Sequence, residues 1–535
     1  MKNSIAVKVL HIFITVLLMA IGEYIFSTND SLKLSFSNYV STYLLVFIVL
    51  FVAFCSRYKT IAVILSSLIV LGTGVNVVFN QYFGRYLMPY DIAMFFTEIE
   101  DTTKGLLSGI QIFIKPLLWY LVLYFYTLYI IFKVPAQSNT KLGILNTVLS
   151  ILFTIAFFIP VINHKKFEVS LHYSVVRNSI GVYTHYLGDL FKNNKTQAKD
   201  YPAYSVSKND SAVNIIFIMG ESANFEHMSL YGYERDTTPY LKSLAEQHAQ
   251  QFKYFSGVSR GFSTRIGVPL TLNVIQEPDN TKQLLSLKTN LFHLAKQNKY
   301  STYYLSNQKS GVLASLVNAT DIDEFHDVNS KIIPQDTLTD LRLIKFLENM
   351  SKQNDFSKPF FVVLHQRNNH FAYADNYPES YDIYKTGKSE KEKLVDTYDN
   401  SMRFQDDFIK SLIQTTEKIT NKPTLIVYTS DHSELFGFDG LWGHGAPILQ
   451  TAGVPIFMYA LNGAEKLFQS PVLANECVLG NYQLGKFVAS SIGWDIHNPN
   501  EVKDYFVNIT LPYDDANGYK KFDHDLTNKT FCKKQ

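Results

Sequence analysis

Acidic and histidine side chains follow two apolar segments of this sequence, at the point where each segment ends. Glu221 follows VNIIFIMG (213–220), and the pair Asp431 and His432 follows TLIVYTS (424–430). Carboxylate oxygens and an imidazole nitrogen are the ligands that zinc takes where it acts as a Lewis acid and keeps one position open. A single carboxylate after a strand is more often a helix cap, so the prediction of a zinc site rests on the joint placement of the three residues.

A hydroxyl group suited to nucleophilic attack occurs in the segment SRGFSTRIGVPLTLN (259–273). The segment leads into a predicted helix, so Ser263 or Thr264 could lie at a helix N-terminus, where backbone N–H groups stabilise a bound phosphate. Coordination to a metal would lower the pKa of the hydroxyl and make it a competent nucleophile. The residues alone leave the choice between Ser263 and Thr264 open, and helix capping is the alternative role.

Two further histidines lie in loops that contain Gly, Asn or Pro. His370 follows the apolar run PFFVVLH (359–365) by five residues, and His444 lies in LWGHGAP. Near a phosphoryl centre, such histidines donate hydrogen bonds to phosphate oxygens, protonate a leaving alkoxide or bind a second metal. The sequence leaves these roles open for both residues.

Five short apolar runs are predicted to form the strands that position these side chains. They have the length and the β-branched or aromatic content of buried strands, and helix-like stretches lie between several of them. Such alternation predicts an α/β domain with a mostly parallel sheet between helices, in which ligands bind at the carboxyl ends of the strands. The five runs are 213–220, 300–307, 359–365, 424–430 and 454–460.

The first third of the chain is predicted to cross a membrane five times, since about 20 mainly apolar residues span the hydrocarbon. Lys and Arg residues precede the first run and lie between the second and third and between the fourth and fifth. By the positive-inside rule these loops are cytoplasmic, and an odd number of spans exports everything after the fifth. A signal peptide is the alternative for the first run, but no cleavage site follows it. The runs are 9–26, 34–56, 60–84, 116–132 and 142–163.

Three parts of the chain are therefore expected: a transmembrane domain (1–163), a polar linker (164–212) and a soluble domain (213–535). Within the first, residues 86–110 mix aromatic and aliphatic side chains with acidic ones. This composition favours a helix that lies at the outer membrane interface, with an ordinary connecting loop as the alternative.

The composition of the 535 residues excludes several classes of protein. There are 49 Lys and Arg against 47 Asp and Glu, whereas a nucleic-acid binder needs a concentrated basic face. An aromatic content of 14% and a charged content of 18% exclude a wholly disordered chain. Three cysteines without a CxxC pair exclude a disulfide scaffold and a structural zinc site of that kind.

Four ordered motifs resemble those of the bacterial phosphoethanolamine transferases, membrane enzymes of the alkaline phosphatase and sulfatase superfamily. That family includes the lipid A transferases and the mobile colistin-resistance enzymes, which confer polymyxin resistance. The resemblance covers nearly the whole chain. It implies five transmembrane helices in the bacterial inner membrane and a zinc-bearing catalytic domain in the periplasm. The motifs are IMGESANFEHMSLYGYERDTTPYL, FSTRIGVP, LHQRNNHFAYADNYP and SDHSELFGFDGLWGHGAP.

The resemblance implies a role for each candidate of the predicted zinc site. Matched to the family's motifs, Glu221, Asp431 and His432 are zinc ligands. Thr264, rather than Ser263, is the fourth ligand and the nucleophile that takes the phosphoethanolamine group covalently. One tight zinc site is implied, and a second zinc is left open.

The remaining implied roles concern the substrates. His370 and His444 are implied to be catalytic and to bind the substrate phosphate or a second zinc. Asn224, where lipid A transferases tend to have Arg, is implied to bind substrate. The implied donor is phosphatidylethanolamine and the implied acceptor is lipopolysaccharide, at lipid A or at a core sugar. The GESAN…MSLYGY segment is more similar to the branch that modifies core sugars, and a monomer is expected.

Several features depart from the family's pattern. Lipid A transferases typically carry several disulfides in the soluble domain, whereas only Cys477 and Cys532 could pair outside the membrane here, and Cys55 lies in a predicted span. The nucleophile segment also lacks the usual Cys-Gly start. Lipoteichoic acid synthases, which transfer glycerol phosphate, are the alternative enzyme class, and a catalytically inactive lipid-binding relative is the alternative outside enzymes. Arylsulfatases do not fit, because Ser263-Thr264-Arg265 is not their C/S-x-P-x-R motif.

Overall fold

A computed structural model describes most of the chain in two units. The contacts divide it into a first unit, Met1–Asn194 with Gly437–Gly443, and a second unit, Lys195–Phe436 with His444–Gln535. The described residues are 2–27, 36–97, 99, 103, 107, 109–133, 141–162, 174–191, 199–309, 319–330, 339–353, 356, 358–474, 476–512 and 518–532.

The first unit is helical. Among the described residues, five helices are long and apolar enough to cross a membrane, which confirms the predicted number of spans. Helix α3 contains one π-helical stretch, Ser67–Leu71. The helices are α1 (Lys2–Phe26), α2 (Phe36–Phe54), α3 (Lys59–Phe83), α4 (Pro89–Thr97), α5 (Ile110–Lys133), α6 (Lys141–Ile162) and α7 (Val175–Phe191); α4 and α7 are not among the five.

Glycines allow the apolar helices of this unit to approach closely. A Cβ atom at Gly22 of α1 would lie 2.6 Å from Trp119 Nε1 on α5, and one at Gly74 of α3 would lie 2.5 Å from Tyr120 Cβ. Small residues at such contacts bring helix backbones close together. The resulting van der Waals contacts stabilise helix association in lipid, where the hydrophobic effect does not drive it.

The structure differs from the predicted linker at 164–212, because part of this segment is folded. Helix α7 lies within it and packs against α3, α4 and α6. Val175, Val176 and Val182 are fully buried, so a mainly polar composition conceals an amphipathic helix with a narrow apolar face. Of the predicted interfacial segment 86–110, the structure shows helix α4, while the acidic residues at 98, 100 and 101 lie outside the described residues.

The second unit is built on a mixed sheet that has eight strands within the described residues. The strands of this sheet are β2 (Asn214–Gly220), β3 (Phe252–Val258), β4 (Ser301–Ser306), β5 (Glu324–His326), β6 (Phe360–His365), β7 (Thr424–Ser430), β10 (Gly453–Leu461) and β11 (Val478–Gly480). All five predicted strands are present, as β2, β4, β6, β7 and β10. The strand order is β11-β3-β10-β7-β2-β6-β4-β5. The sheet is mostly parallel, as predicted, but β10 runs antiparallel to both of its neighbours, β3 and β7.

Helices cover both faces of this sheet. Alternate residues of β2 enter two separate apolar clusters, Ile216 and Ile218 on one face and Ile215, Phe217 and Met219 on the other. The predicted helix–sheet–helix arrangement is thereby confirmed. The helices of the unit are α8 (Pro239–Gln247), α9 (Thr264–Leu272), α10 (Thr281–Ser286), α11 (Leu291–Gln297), α12 (Leu341–Gln353), α13 (Glu390–Ile419), α14 (Leu449–Ala452), α15 (Asn481–Ile492) and α16 (His524–Phe531).

Short strands lie outside the main sheet. They are β1 (Ser205–Lys208) with β12 (Trp494–His497), β8 (Leu435–Phe438) with β9 (Leu441–Gly443), and β13 (Tyr505–Asn508) with β14 (Tyr519–Phe522). Cys477 and Cys532 form a disulfide, with their Cα atoms 5.9 Å apart, and Cys55 is a buried free cysteine.

The register of the central strands brings the candidate site residues to one edge of the sheet. Strands β2 and β7 are parallel and adjacent, and their last residues, Gly220 and Ser430, are paired. Strand β6 lies on the other side of β2, with His365 opposite Met219. Glu221, Asp431 and the loop that follows β6 therefore leave the sheet together at its carboxyl edge.

Candidate active site

The three predicted metal ligands converge in the structure. His432 Nε2 lies 3.4 Å from Glu221 Oε1 and 3.4 Å from Asp431 Oδ2. One ligand atom from each residue lies within 4.8 Å of the others, and all three side chains are buried. A single ion can therefore be reached by two carboxylates and one imidazole.

The hydrogen bonds around these residues leave ligand atoms available. Asp431 Oδ1 accepts hydrogen bonds from the backbone N–H groups of Ser222 (3.0 Å) and His432 (2.8 Å). Asp431 Oδ2 is buried and has no hydrogen-bond partner among the described residues. His432 Nδ1 lies 3.1 Å from the Ser433 carbonyl, and donation to it leaves Nε2 with a free lone pair. A buried orphan carboxylate oxygen beside an oriented imidazole is the donor set that zinc takes.

The electrostatics of the cluster also fit a cation. Burial raises the pKa of Asp431, and the charge of Glu221 raises it further. Burial acts on Glu221 in the same sense, but attraction to the protonated forms of His432 and His370 outweighs it and holds the pKa of Glu221 below its ordinary value. Burial and the charge of His444 lower the pKa of His432, so its imidazole is neutral, as a metal ligand must be. A dication would compensate both carboxylates.

Thr264 is the first residue of helix α9, and its hydroxyl lies against the cluster. Thr264 Oγ1 donates a hydrogen bond to Glu221 Oε2 (3.2 Å) and lies 3.4 Å from His432 Nε2. Ser263 is the N-cap residue, with extended backbone and no capping hydrogen bond from its side chain. The structure thus brings the Thr264 hydroxyl to the predicted ligands, and its role as nucleophile stays a prediction.

Two glycines allow helix α9 to reach this position. A Cβ atom at Gly267 would lie 2.3 Å from the Asp431 carbonyl oxygen, and one at Gly261 would lie 2.5 Å from the Gly267 nitrogen. The first turn of α9 is therefore pressed against the backbone of a predicted ligand. Any larger residue at 267 would move Thr264 away from it.

His444 joins the site together with Glu434, a residue that the sequence analysis missed. His444 Nδ1 lies 3.1 Å from Glu434 Oε2, and its ring centroid lies 4.5 Å from that of His432. Burial acts to lower the pKa of His444, but the charge and hydrogen bond of Glu434 raise it to about 9. Ligand atoms of His432, Glu434 and His444 form a second group within 4.8 Å. The spacing in Asp431-His432-Ser433-Glu434 was a usable signal, because it places a second acid just after the strand end.

His370 lies in the loop after β6 and belongs to neither group of ligand atoms. Its charge still acts to lower the pKa of Glu221. Asp340 holds this loop by accepting hydrogen bonds from the N–H groups of Arg367 (3.0 Å) and Asn368 (3.0 Å). The predicted role of His370 stays a prediction.

The side chain of Asn224 is engaged within the protein. Its Oδ1 accepts from the Glu226 N–H (2.8 Å), and its Nδ2 donates to the Glu434 carbonyl (2.8 Å). These bonds fix the loop after β2 next to Glu434. The predicted contact of Asn224 with substrate stays a prediction.

Gln308 is a second residue that the sequence analysis missed. It follows β4, and its Nε2 donates to Glu221 Oε2 (2.8 Å) and to the Gln366 carbonyl (2.6 Å). The position just after the predicted strand 300–307 was the only signal in the sequence, because a neutral amide gives no chemical cue.

Comparisons with known proteins agree with the motifs. Residues 213–475 match the sulfatase family. The Kdo(2)-lipid A phosphoethanolamine 7''-transferase of Salmonella typhimurium is 28% identical over 43% of this chain, and the chain spans only 41% of that protein's length. The phosphoethanolamine transferase EptA of Helicobacter pylori is 23% identical over 87% of this chain and 90% of its own length.

A solved structure shows the same fold. The integral membrane lipooligosaccharide phosphoethanolamine transferase A of Neisseria meningitidis superposes with a TM-score of 0.61 at 17% identity, covering 90% of this chain and 96% of its own. Together with the strand-end cluster and the five apolar helices, these similarities identify residues 213–475 as a sulfatase-family domain, in a chain that is similar to the phosphoethanolamine transferases.

Proposed function

We propose that this protein transfers phosphoethanolamine from phosphatidylethanolamine to lipopolysaccharide, at a core sugar or at lipid A, through a covalent intermediate on Thr264. The observation that carries the proposal is the position of the Thr264 hydroxyl, 3.2 Å from Glu221 Oε2 and 3.4 Å from His432 Nε2, at a helix N-terminus. The names of the relatives support the transferred group and the class of acceptor.

Zinc is the proposed cofactor, held tightly by Glu221, Asp431 and His432 with Thr264 as the fourth ligand. When bound, it would lower the pKa of the Thr264 hydroxyl and polarise the phosphoryl group. The group formed by His432, Glu434 and His444 is where a second ion would bind.

The chain's own residues account for the two displacements. Thr264 donates its hydrogen bond to Glu221 Oε2, so the hydroxyl proton has an acceptor when Oγ1 attacks the phosphorus. Backbone N–H groups at the start of α9 stabilise the phosphoryl oxygens, because they lack partners within the helix. The bond to diacylglycerol breaks, and His370 or His444 gives a proton to the departing alkoxide.

In the second displacement an acceptor oxygen attacks the phosphothreonine, and the proton it carries passes to the histidine that protonated the first leaving group. The bond from phosphorus to Thr264 Oγ1 breaks as Glu221 returns the proton to Oγ1. While it is charged because of Glu434, His444 donates to the phosphate oxygens. The five apolar helices suit a donor that remains in the bilayer. We assign the protein to the bacterial inner membrane, with the catalytic domain in the periplasm. We propose that it acts as a monomer and has no nucleic-acid partner.

The test uses the purified full chain in detergent with zinc and fluorescent phosphatidylethanolamine. We expect release of diacylglycerol and a phosphoethanolamine adduct on the peptide that contains Thr264. Thr264→Ala should abolish both while leaving zinc largely bound, and Ser263→Ala, which removes the neighbouring hydroxyl, should keep both. An adduct that persists in Thr264→Ala would refute the nucleophile.

The donor and the acceptor are tested separately. Turnover of phosphatidylglycerol but not of phosphatidylethanolamine would instead indicate a glycerol phosphate transferase. Turnover of neither lipid by the zinc-loaded protein would indicate an inactive, lipid-binding relative. Mass spectrometry of lipopolysaccharide from cells with and without the gene should show phosphoethanolamine on a core sugar or on lipid A, and an unchanged profile would refute this acceptor.

A further inference from the structure

Strand β13 forms backbone hydrogen bonds with the segment 259–263, which precedes the proposed nucleophile Thr264. The Asn508 N–H donates to the Arg260 carbonyl (2.9 Å), and the Phe262 N–H donates to the Asn508 carbonyl (3.2 Å). Gly261, between them, pairs with Asn508 as an isolated parallel bridge. One residue of β13 thus fixes the backbone on both sides of Gly261.

The Arg260 side chain extends this connection to the far end of helix α9. Arg260 is 3% exposed, and its guanidinium group donates to the Gln276 carbonyl (2.9 Å) and to the Phe506 carbonyl. Gln276 follows the last residue of α9 by four positions, and Phe506 lies on β13. One planar group therefore links the segment before α9, the segment after α9 and strand β13.

The chemical character of this link is unusual for a core contact. Burial lowers the pKa of the Arg260 guanidinium to about 10, although the nearby charge of Glu277 acts in the opposite sense. A buried cation costs free energy that this charge offsets only in part, whereas an apolar side chain of similar size would pack without that cost. Hydrogen bonds to two carbonyl groups fix the positions of the two backbone segments relative to Arg260, which an apolar side chain cannot do.

Tight packing between Gly261 and the first turn of α9 couples the position of the segment to that of Thr264. A Cβ atom at Gly261 would lie 2.8 Å from Ile266 Cβ in the first turn of α9, so the segment has no free space in which to shift. Thr264 lies three positions after Gly261. A displacement of the segment must therefore move the hydroxyl relative to Glu221.

We propose that Arg260 is a positioning residue for Thr264, with strand β13 as the fixed support of the nucleophile. This inference rests on the proposed role of Thr264. It extends the active-site framework to a part of the chain that lies more than 240 residues after the nucleophile and contributes no group to the chemistry.

The test compares Arg260→Met and Arg260→Lys with a matched control, Arg342→Met. Arg342, on helix α12, is also a buried arginine. It is 2% exposed and donates to the Val328 carbonyl (3.2 Å). Each full-length variant is loaded with zinc, and the rate of adduct formation per folded molecule is measured with zinc affinity, KM for the lipid and hydrogen exchange over 259–278.

Arg260→Met should lower kcat about 100-fold, the loss that follows a misplacement of about 1 Å, with unchanged KM and zinc affinity. Hydrogen exchange should accelerate over 259–278. Arg260→Lys should lie between Arg260→Met and the wild type, because one ammonium group cannot span both carbonyls in a fixed fork. Arg342→Met should lose thermal stability but keep the kcat of the wild type.

A wild-type kcat in both Arg260 variants, or an equal loss of kcat in Arg342→Met, would overturn the positioning role while leaving the proposed function intact. If the wild type itself formed no adduct, the proposed function would fail, and the positioning role with it. If Arg260→Met did not fold, the kcat of Arg260→Lys and its hydrogen exchange over 259–278 would test the positioning role, and wild-type values of both would overturn it.

Discussion

Gln308 offers a sharp test of the metal site, because one nitrogen atom of its side chain makes two short contacts. Nε2 donates to Glu221 Oε2 (2.8 Å), the oxygen that also accepts from Thr264, and to the Gln366 carbonyl (2.6 Å). The side chain is 8% exposed, so water does not replace it freely. Gln308→Leu keeps a similar volume and removes both hydrogen bonds.

The expected loss follows from the charge of the acceptor. A hydrogen bond to a charged group contributes about 1.5–3 kcal/mol, and the cost is larger when the acceptor is left buried without a partner. Residues that orient a metal ligand typically contribute about 10–100-fold to metal affinity, which equals about 1.4–2.7 kcal/mol. We therefore expect Gln308→Leu to weaken zinc binding about 10–100-fold.

The assay is a titration of the metal-free full chain with zinc in competition with a chromophoric chelator. Gln405→Leu is the matched control, since Gln405 is fully buried and its Nε2 donates to Gln366 Oε1 (2.9 Å), one residue farther from Glu221. An unchanged zinc affinity in Gln308→Leu, or an equal loss in Gln405→Leu, would refute the claim that the amide positions Glu221.

Two further predictions concern the framework around the site. Replacing both Cys477 and Cys532 with Ser should lower the free energy of unfolding by about 4 kcal/mol, the chain-entropy value for a loop of 55 residues; a melting temperature unaffected by the substitutions or by a dithiol reductant would contradict this. Burial raises the pKa of Asp340 to about 6, so the folded protein binds this proton more tightly than the unfolded chain, and the stability it contributes below pH 4 is lost as the pH rises through 6. The loss amounts to about 3 kcal/mol, and thermal melts of Asp340→Asn should show a smaller decrease between pH 4 and 7 than the wild type; equal slopes would count against it.

The metal ligands could be predicted because strand direction carries chemical information. In a parallel sheet, residues that follow adjacent strands meet at one edge, and the pairing of Gly220 with Ser430 places Glu221 and Asp431 there. The antiparallel direction of β10 was not predictable in the same way, because a run of buried apolar residues has the same composition in either direction.

The supporting residues of the site could not be predicted, because their roles depend on packing. Gln308 and Glu434 contact the site only after β4 and β7 have been placed beside β2 and β6. The same holds for Arg260, whose two acceptors are backbone carbonyls, since a carbonyl at 276 or 506 has no signature in the sequence. Helix α7 is a different case, because the average composition of 164–212 is polar. The helical periodicity of the apolar residues in 175–191 is the signal that indicates its buried face.

The charges of the assembled site argue for one tightly held ion. Glu221, Asp431 and Glu434 supply three negative charges when ionised, and His444, with its raised pKa of about 9, supplies one positive charge. His432 is neutral, which leaves two negative charges in a buried volume. One dication brings this group to neutrality, and the proposed donor, with one phosphate charge and one ammonium charge, is itself neutral. A second dication on His432, Glu434 and His444 would need a neutral His444, which leaves an excess of one positive charge that an additional anion would have to compensate.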